Sequence, residues 1–299
     1  MKPAALALLP FLLLAAPAWS ASLEQARAAV EAGDYATAFS AAAELADAGD
    51  AGAMTILGSL YRKGQGVSQN LDSAIDWLGR AAEAGQSQAQ LELALIYLDP
   101  GSGRGDYAKG EGWLRRAAEG GLAEAQFTMG LLSAGAFGNP PEMALAASWF
   151  EKAAAQGHAG AEYNLGVLYL EGKGVAKNAV KAANWIGKAA QAGHVDAMLD
   201  YGVLVIRGEG VQQNDKIGAQ WLLVSARRGN IIAQNRVARL FAFGKGVPAD
   251  RVEALKWNIL ASRAGRGDAE LDTVLAKLSD AQKAEAQARA DAFKPLAAK

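Results

Sequence analysis

The only imidazoles of this 299-residue chain, His158 and His194, stand 36 residues apart. Imidazole is a common transition-metal ligand, and with Glu162 or Asp196 the pair could furnish a mixed nitrogen–oxygen site. Each histidine, however, directly follows a glycine, Gly157 and Gly193, so the two occupy one position in successive units of a repeat. They are read as turn residues that pack or hydrogen-bond at a unit boundary, and no metal is expected. Gly101-Ser102-Gly103-Arg104-Gly105 has the glycine content of a phosphate-binding loop. Such a loop needs a preceding strand and a helix N-terminus aimed at the anion. No strand pattern precedes this one, so it reads as a variant connection between helices. Nucleophilic chemistry finds no better support. The chain has no Gly-x-Ser-x-Gly, no serine with lysine three residues on, and no cysteine for a thiolate, a disulfide or a thiolate metal site. No catalytic residue, cofactor or small-molecule substrate is expected.

The elements that carry these residues are set by the same period. Trp77, Trp113, Trp149, Trp185, Trp221 and Trp257 are each 36 residues apart, and so are Ala53, Ala89, Ala125, Ala161, Ala197 and Ala233. A fixed period of this length marks units that bury their apolar faces only against their neighbours. Within one unit Ala53, Ile56, Leu57, Leu60 and Tyr61 follow the spacing of an amphipathic helix. One position there stays small, as Gly58, Ala94, Gly130, Gly166, Gly202 and Ala238. Glycine inside a helix costs about 1 kcal/mol against alanine, so its recurrence predicts close approach of another helix backbone. A Gly-x-Gly-Val loop follows at Gly64, Gly172, Gly208 and Gly244. Next comes a polar residue, Asn70, Asp106, Glu142, Asn178, Asn214 or Asp250, suited to cap a second helix. The capping assignment is least natural for Glu142. In that second helix Ala74, Trp77, Leu78 and Ala81 lie on one face, which makes the tryptophans core residues and not an aromatic platform for carbohydrate. Gly85, Gly121, Gly157, Gly193, Gly229 and Gly265 end it.

The combined pattern, A-x-x-x-L-G-x-x-Y-x-x-G-x-G-V, a polar cap, then A-x-x-W-x-x-x-A-A-x-x-G, resembles the Sel1-like repeat, a relative of the tetratricopeptide repeat. Leu165, Gly166, Tyr169, Gly172, Gly174, Val175, Ala182, Trp185, Ala189, Ala190 and Gly193 match it closely. The resemblance implies an all-α fold, a right-handed α-solenoid of stacked helix-turn-helix units, and a scaffold that binds a protein partner. The repeats are placed at residues 53–268. Residues 21–52 are expected to form an N-terminal capping helical pair. Residues 269–299 are expected to form C-terminal capping helices, with Ser279-Asp280-Ala281-Gln282 as a capping box.

Residues 1–20 read as a cleavable signal peptide: Lys2, an apolar run from Ala4 to Ala16 broken by Pro10, and small residues before a cut after Ser20. Export to the periplasm, or secretion, is expected. No later stretch is long and apolar enough to span a membrane. At 51% hydrophobic residues the chain is too apolar for disorder. A net charge of −1 offers no basic footprint for nucleic acid.

Two units depart from consensus. Asp99 to Asp106 and Gly135 to Glu142 keep their length but lose the Gly-x-Gly-Val chemistry, and Ser133 replaces the usual tyrosine. Such departures are either drift or a partner-specific patch. On the second reading Asp99, Arg104 and Asp106 form a charged rim around Phe137 as aromatic anchor, on neighbouring loops. By resemblance, exported relatives regulate membrane sensors or assist envelope and exopolysaccharide assembly, and the sequence does not choose between them. Two further functions follow from kinship alone, a cell-wall or penicillin-binding hydrolase and a secreted host-interaction factor. The first lacks any activated nucleophile here.

Overall fold

The computed structural model describes residues 22–296, so the signal-peptide reading lies outside the described residues. Among these the chain is helical, with sixteen α-helices, one short 3₁₀ turn and no strand. They fall into two compact units that divide at Gly110 and Glu111. The first holds α1 (Leu23–Glu31), α2 (Tyr35–Asp47), α3 (Ala51–Lys63), α4 (Leu71–Glu83), α5 (Ser87–Leu98) and the start of α6 (Tyr107–Glu119). The second continues with α7 (Ala123–Ser133), α8 (Met143–Ala154), α9 (Ala159–Glu171), α10 (Ala179–Gln191), α11 (Val195–Arg207) and α12 (Asp215–Arg227). It ends with α13 (Ile231–Phe243), α14 (Arg251–Arg263), α15 (Ala269–Leu275) and α16 (Asp280–Asp291). No helix among the described residues is long and apolar enough to cross a membrane.

Side chains named by the period set the helix ends. Asn178 accepts a hydrogen bond from the Lys181 amide at 2.9 Å, and Asn70, Asn214 and Asp250 do the same for their helices. Glu142 makes no such bond. Where the bond forms, one of the orphan amides at the helix start is satisfied. Each helix then packs against its neighbour in the chain, from α1 through α5 in the first unit and from α7 through α14 in the second. The contact surface is small-residue rich. A Cβ on Gly166 of α9 would stand 2.5 Å from Ile186 Cγ1, 3.1 Å from the Ile186 amide nitrogen and 3.2 Å from the Ala182 carbonyl oxygen of α10. The helix-interior glycine is explained by this close approach of side chain and backbone together. At the C-terminal end α15 packs on α13 and α16 on α14, and Ser279 with Gln282 forms the expected capping box.

The tryptophans do not all enter the core. Trp149 and Trp257 are buried at 5% and 1% exposure, whereas Trp77, Trp113, Trp185 and Trp221 are only half-buried. In α10 the interior is filled by Ala182, Ile186, Ala189 and Ala190, and Trp185 flanks that stripe. A basic side chain one turn on then covers the ring, Lys188 at 4.1 Å from the Trp185 centroid and Arg80 at 4.3 Å from that of Trp77. Trp221 has Val224 in that place and meets Tyr201 edge-on at 5.7 Å. Helical spacing identifies the apolar side of a helix, but a wide indole at its margin is shared between neighbours and solvent.

A buried rung recurs between helices. Gln90, Gln126 and Gln234 donate through Nε2 to the carbonyls of Ala82, Ala118 and Ala226 at 3.0, 3.1 and 3.3 Å. Glu162 occupies the same register in α9 and is 6% exposed. An ionised carboxylate cannot donate, and no hydrogen bond reaches this one among the described residues. Burial raises its pKa above the ordinary 4.5, while the charges of Lys188 and His158 pull it down. A raised folded pKa contributes stability that is full below the unfolded value and is lost as pH rises through the folded one. Glu162→Gln should therefore stabilise the protein at pH 7 by about 1 kcal/mol, one net buried hydrogen bond. The gain should shrink toward pH 4, where the native carboxyl carries its own proton. Urea midpoints at the two pH values would measure this, and an equal gain at both would reject the account.

Candidate interaction surfaces

The loop between α5 and α6 is built around Asp99. Its carboxylate accepts from the Gly101 amide at 2.8 Å and caps a 3₁₀ turn over Pro100–Ser102. The Ser102 hydroxyl donates to the Asp99 carbonyl at 2.8 Å and accepts from the Arg104 amide at 3.0 Å. Asp106 closes the loop, its amide donating to the Tyr97 carbonyl at 2.9 Å. Its carboxylate accepts from the Lys109 amide at 3.1 Å, which lowers its pKa below the usual carboxylate value. Arg104 reaches back one repeat to Asp72, with Nε and Nη2 each 2.8 Å from a carboxylate oxygen. This two-pronged pair occupies the guanidinium that a phosphate loop would need free. The segment also follows a helix, not a strand. Beside it lies a groove of about 320 Å³ lined by Arg62, Gln69, Leu71, Leu95, Asp99 and Ser102.

The loop between α7 and α8 belongs to the second unit. Here Asn139 donates to the Leu132 carbonyl, seven residues back, at 2.8 Å. In two regular loops Gln69 and Gln213 make bonds of the same span, to Arg62 and Ile206, at 2.9 and 3.0 Å, but two positions later in the repeat. The bond that the irregular loop keeps in register is the one closing it, from the Glu142 amide to the Ser133 carbonyl at 2.7 Å, as from Asn70 to Tyr61 at 3.0 Å. Ser133, where tyrosine is usual, is buried with its hydroxyl unpartnered, as is the amide oxygen of Asn139. Phe137 is exposed at its tip. The four predicted interface residues therefore divide between the units, three on one loop and Phe137 on the other.

Both histidines are helix N-caps. His158 Nδ1 accepts from the Ala161 amide at 3.1 Å, and His194 Nδ1 from the Ala197 amide at 3.2 Å. Accepting at Nδ1 places the proton of the neutral ring on Nε2, and His158 Nε2 lies 2.9 Å from Glu124 Oε2. Each ring also stacks on an aromatic of the preceding repeat, His158 on Phe127 at 4.4 Å and His194 on Tyr163 at 4.6 Å. The unit-boundary role inferred from the period thus has a definite geometry.

Sequence reasoning missed the rungs between first helices. The Tyr163 hydroxyl donates to Asp200 Oδ2 at 2.9 Å. Burial, followed by the Asp200 charge, pushes the Tyr163 hydroxyl well above the ordinary phenol range. Desolvation also raises Asp200 and lowers His194. The cluster therefore favours its neutral forms, and nothing in it activates a nucleophile. Ser59 and Arg62 make a comparable rung to buried Glu92 at 2.6 and 3.0 Å. Polar pairs about one period apart were the available sign, obscured because the residue types change from unit to unit.

A family model described as the Sel1 repeat matches residues 51–86, 87–122, 123–158, 159–194, 195–230 and 231–265. Among solved structures, a Sel1 repeat protein from Oxalobacter formigenes is 29% identical, with a TM-score of 0.73, covering 81% of this chain and 100% of that one. A protective antigen present in uropathogenic Escherichia coli strains, displaying an SLR fold, is 25% identical, with a TM-score of 0.55, covering 91% of this chain and 67% of that one. Among curated proteins none matches the chain.

Proposed function

The chain belongs to the Sel1 repeat family, whose proteins act as scaffolds in protein–protein interaction, and from that premise we propose that it is a non-catalytic scaffold exported to the bacterial envelope. The observation that carries the reading is the distribution of consensus. Regular positions are consumed by capping, glycine approach and stacking, so partner specificity falls to residues that these do not require. The loops before α6 and α8 supply them: Phe137 stands exposed on one, and on the other Asp99, Arg104 and Asp106, fixed by their bonds to Gly101, Asp72 and Lys109, present a charged rim that the regular Gly-x-Gly-Val loop lacks. An exposed aromatic and an arginine are residue types enriched among interface hot spots. A pre-ordered helical surface binds a protein with little reorganisation cost. Regulation of a membrane sensor and assistance to envelope or exopolysaccharide assembly are the two roles such an exported scaffold would serve. Likeness to a protective antigen favours a second reading, a secreted factor that meets host proteins.

Phe137→Ala, or replacement of residues 99–105 by a regular Gly-x-Gly-Val loop, should weaken capture of the partner from the producing cell's envelope fraction. Losing one hot-spot residue costs about 2 kcal/mol, roughly a thirtyfold loss of affinity. Helicity by circular dichroism should not change. Undiminished capture by both variants would move the binding site off the loops, and recovery of the chain only from the cytosol would end the export reading.

A further inference from the structure

The second unit contains a groove that stacking does not explain. Between α11 and α13 a cavity of about 170 Å³ is floored by Val203, Ile206, Leu222 and Leu240 and edged by Arg207, Arg236 and Arg239. Arg239 is committed, since its guanidinium holds Asp268 at 2.7 and 3.0 Å and Glu270 at 2.9 Å. Arg207 and Arg236 are exposed and form no ion pair among the described residues. Asp200 feels the charge of Arg236 but is already engaged by Tyr163. We propose that this groove docks an extended acidic segment of a protein partner, one apolar side chain entering the floor while flanking carboxylates pair with Arg207 and Arg236.

Three observations support that occupant. The repeat does not require these arginines. One period apart, the position of Arg236 is held by Ile56, Glu92, Thr128, Asn164 and Asp200, and that of Arg207 by Lys63, Asp99, Gly135, Glu171 and Phe243. The chain's net charge is −1, so two unpaired guanidinium groups over an apolar floor are a local arrangement and not part of a general basic surface. The size also discriminates. Pockets for small-molecule ligands run from about 300 to 1,000 Å³, and this cavity holds about one side chain. Guanidinium groups pair with carboxylates in a planar, two-pronged geometry, which gives the acids a defined place. The proposal rests on the scaffold reading but concerns a surface separate from the two irregular loops.

The test uses the purified full chain and a panel of short fluorescein-labelled peptides with both ends blocked. Each carries leucine, isoleucine, methionine or phenylalanine between two acidic residues, and binding is read by fluorescence anisotropy. Members of the panel should bind, and Arg207→Gln with Arg236→Gln should weaken that binding by at least about tenfold. Replacing the peptide acids by their amides, or the apolar residue by glycine, should weaken it comparably. Phe137→Ala should leave peptide binding unchanged, so the outcome here is independent of the loop surface. Binding by no member of the panel, or equal binding by the double variant, would overturn the proposal.

Discussion

Gly174→Ala should destabilise the second unit by about 2–5 kcal/mol, far more than alanine at a glycine of positive φ with open space beside it. Gly174 has φ +71°, and a Cβ there would lie 2.2 Å from the Met143 carbonyl oxygen at the start of the preceding repeat's second helix. The left-handed backbone costs an alanine about 1–2 kcal/mol. Moving a helix backbone aside adds an overpacking cost of about 1–3 kcal/mol. Gly157 separates the two effects, with φ +81° but nothing within 4 Å of an added Cβ. Gly157→Ala should therefore cost only the backbone share. A repeat protein need not unfold in one step, so amide exchange in α8 to α10 should accompany the thermal midpoint. Equal losses for the two variants would mean that the carbonyl approach does not select glycine. Gly66, Gly210 and Gly246 meet the same obstacle, at 2.3, 2.0 and 2.2 Å from the carbonyls of Tyr35, Ala179 and Asp215.

Trp257→Ala should cost about 3–5 kcal/mol, the range for removing a buried large aromatic. Its ring is 1% exposed and meets Phe293 edge-on at 5.4 Å. Its indole nitrogen has no partner, so the loss is one of packing together with the cation–π contact of Lys256, whose ammonium lies 4.3 Å from the ring centroid. Trp185→Ala should cost roughly 1–2 kcal/mol, because the ring is half-buried and gives up partial packing together with a cation–π contact worth about 0.5–1 kcal/mol. A second readout is specific to Trp257. Beyond Phe293 the chain returns to α12, where the Leu296 amide donates to the Arg227 carbonyl at 2.8 Å. Removing the indole should speed exchange of that amide, and Trp185→Ala should leave it protected. Equal thermal shifts for the two variants would contradict the difference in burial.

Much of the scaffold could be read from residue types at fixed intervals. Helix ends depend on a capping side chain and a glycine within a few residues, and those interactions are local. Asn178 and Gly172 therefore announced their roles, and the recurring glycine at Gly166 announced the approach of α10. The candidate interface was less legible. Departures from consensus marked Asp99, Arg104, Asp106 and Phe137, but not that Asp99 and Asp106 cap helical turns or that Arg104 is held by Asp72. Those are contacts, and spacing does not report them.

A period of 36 with its alanines, tryptophans and glycines was enough to establish a stack of helical pairs, because each unit's apolar face has only its neighbours to bury it. Folding in three dimensions settled which tryptophans leave solvent, since burial at the margin of a helix depends on what the adjacent helix and the next basic side chain cover. It also brought Arg207 and Arg236, 29 residues apart and out of register, to one groove over Val203 and Leu240. Neighbouring units are laid side by side with an offset, so residues that share no position in the repeat come to share a surface. That offset is a property of packed helices, and no single unit's sequence contains it.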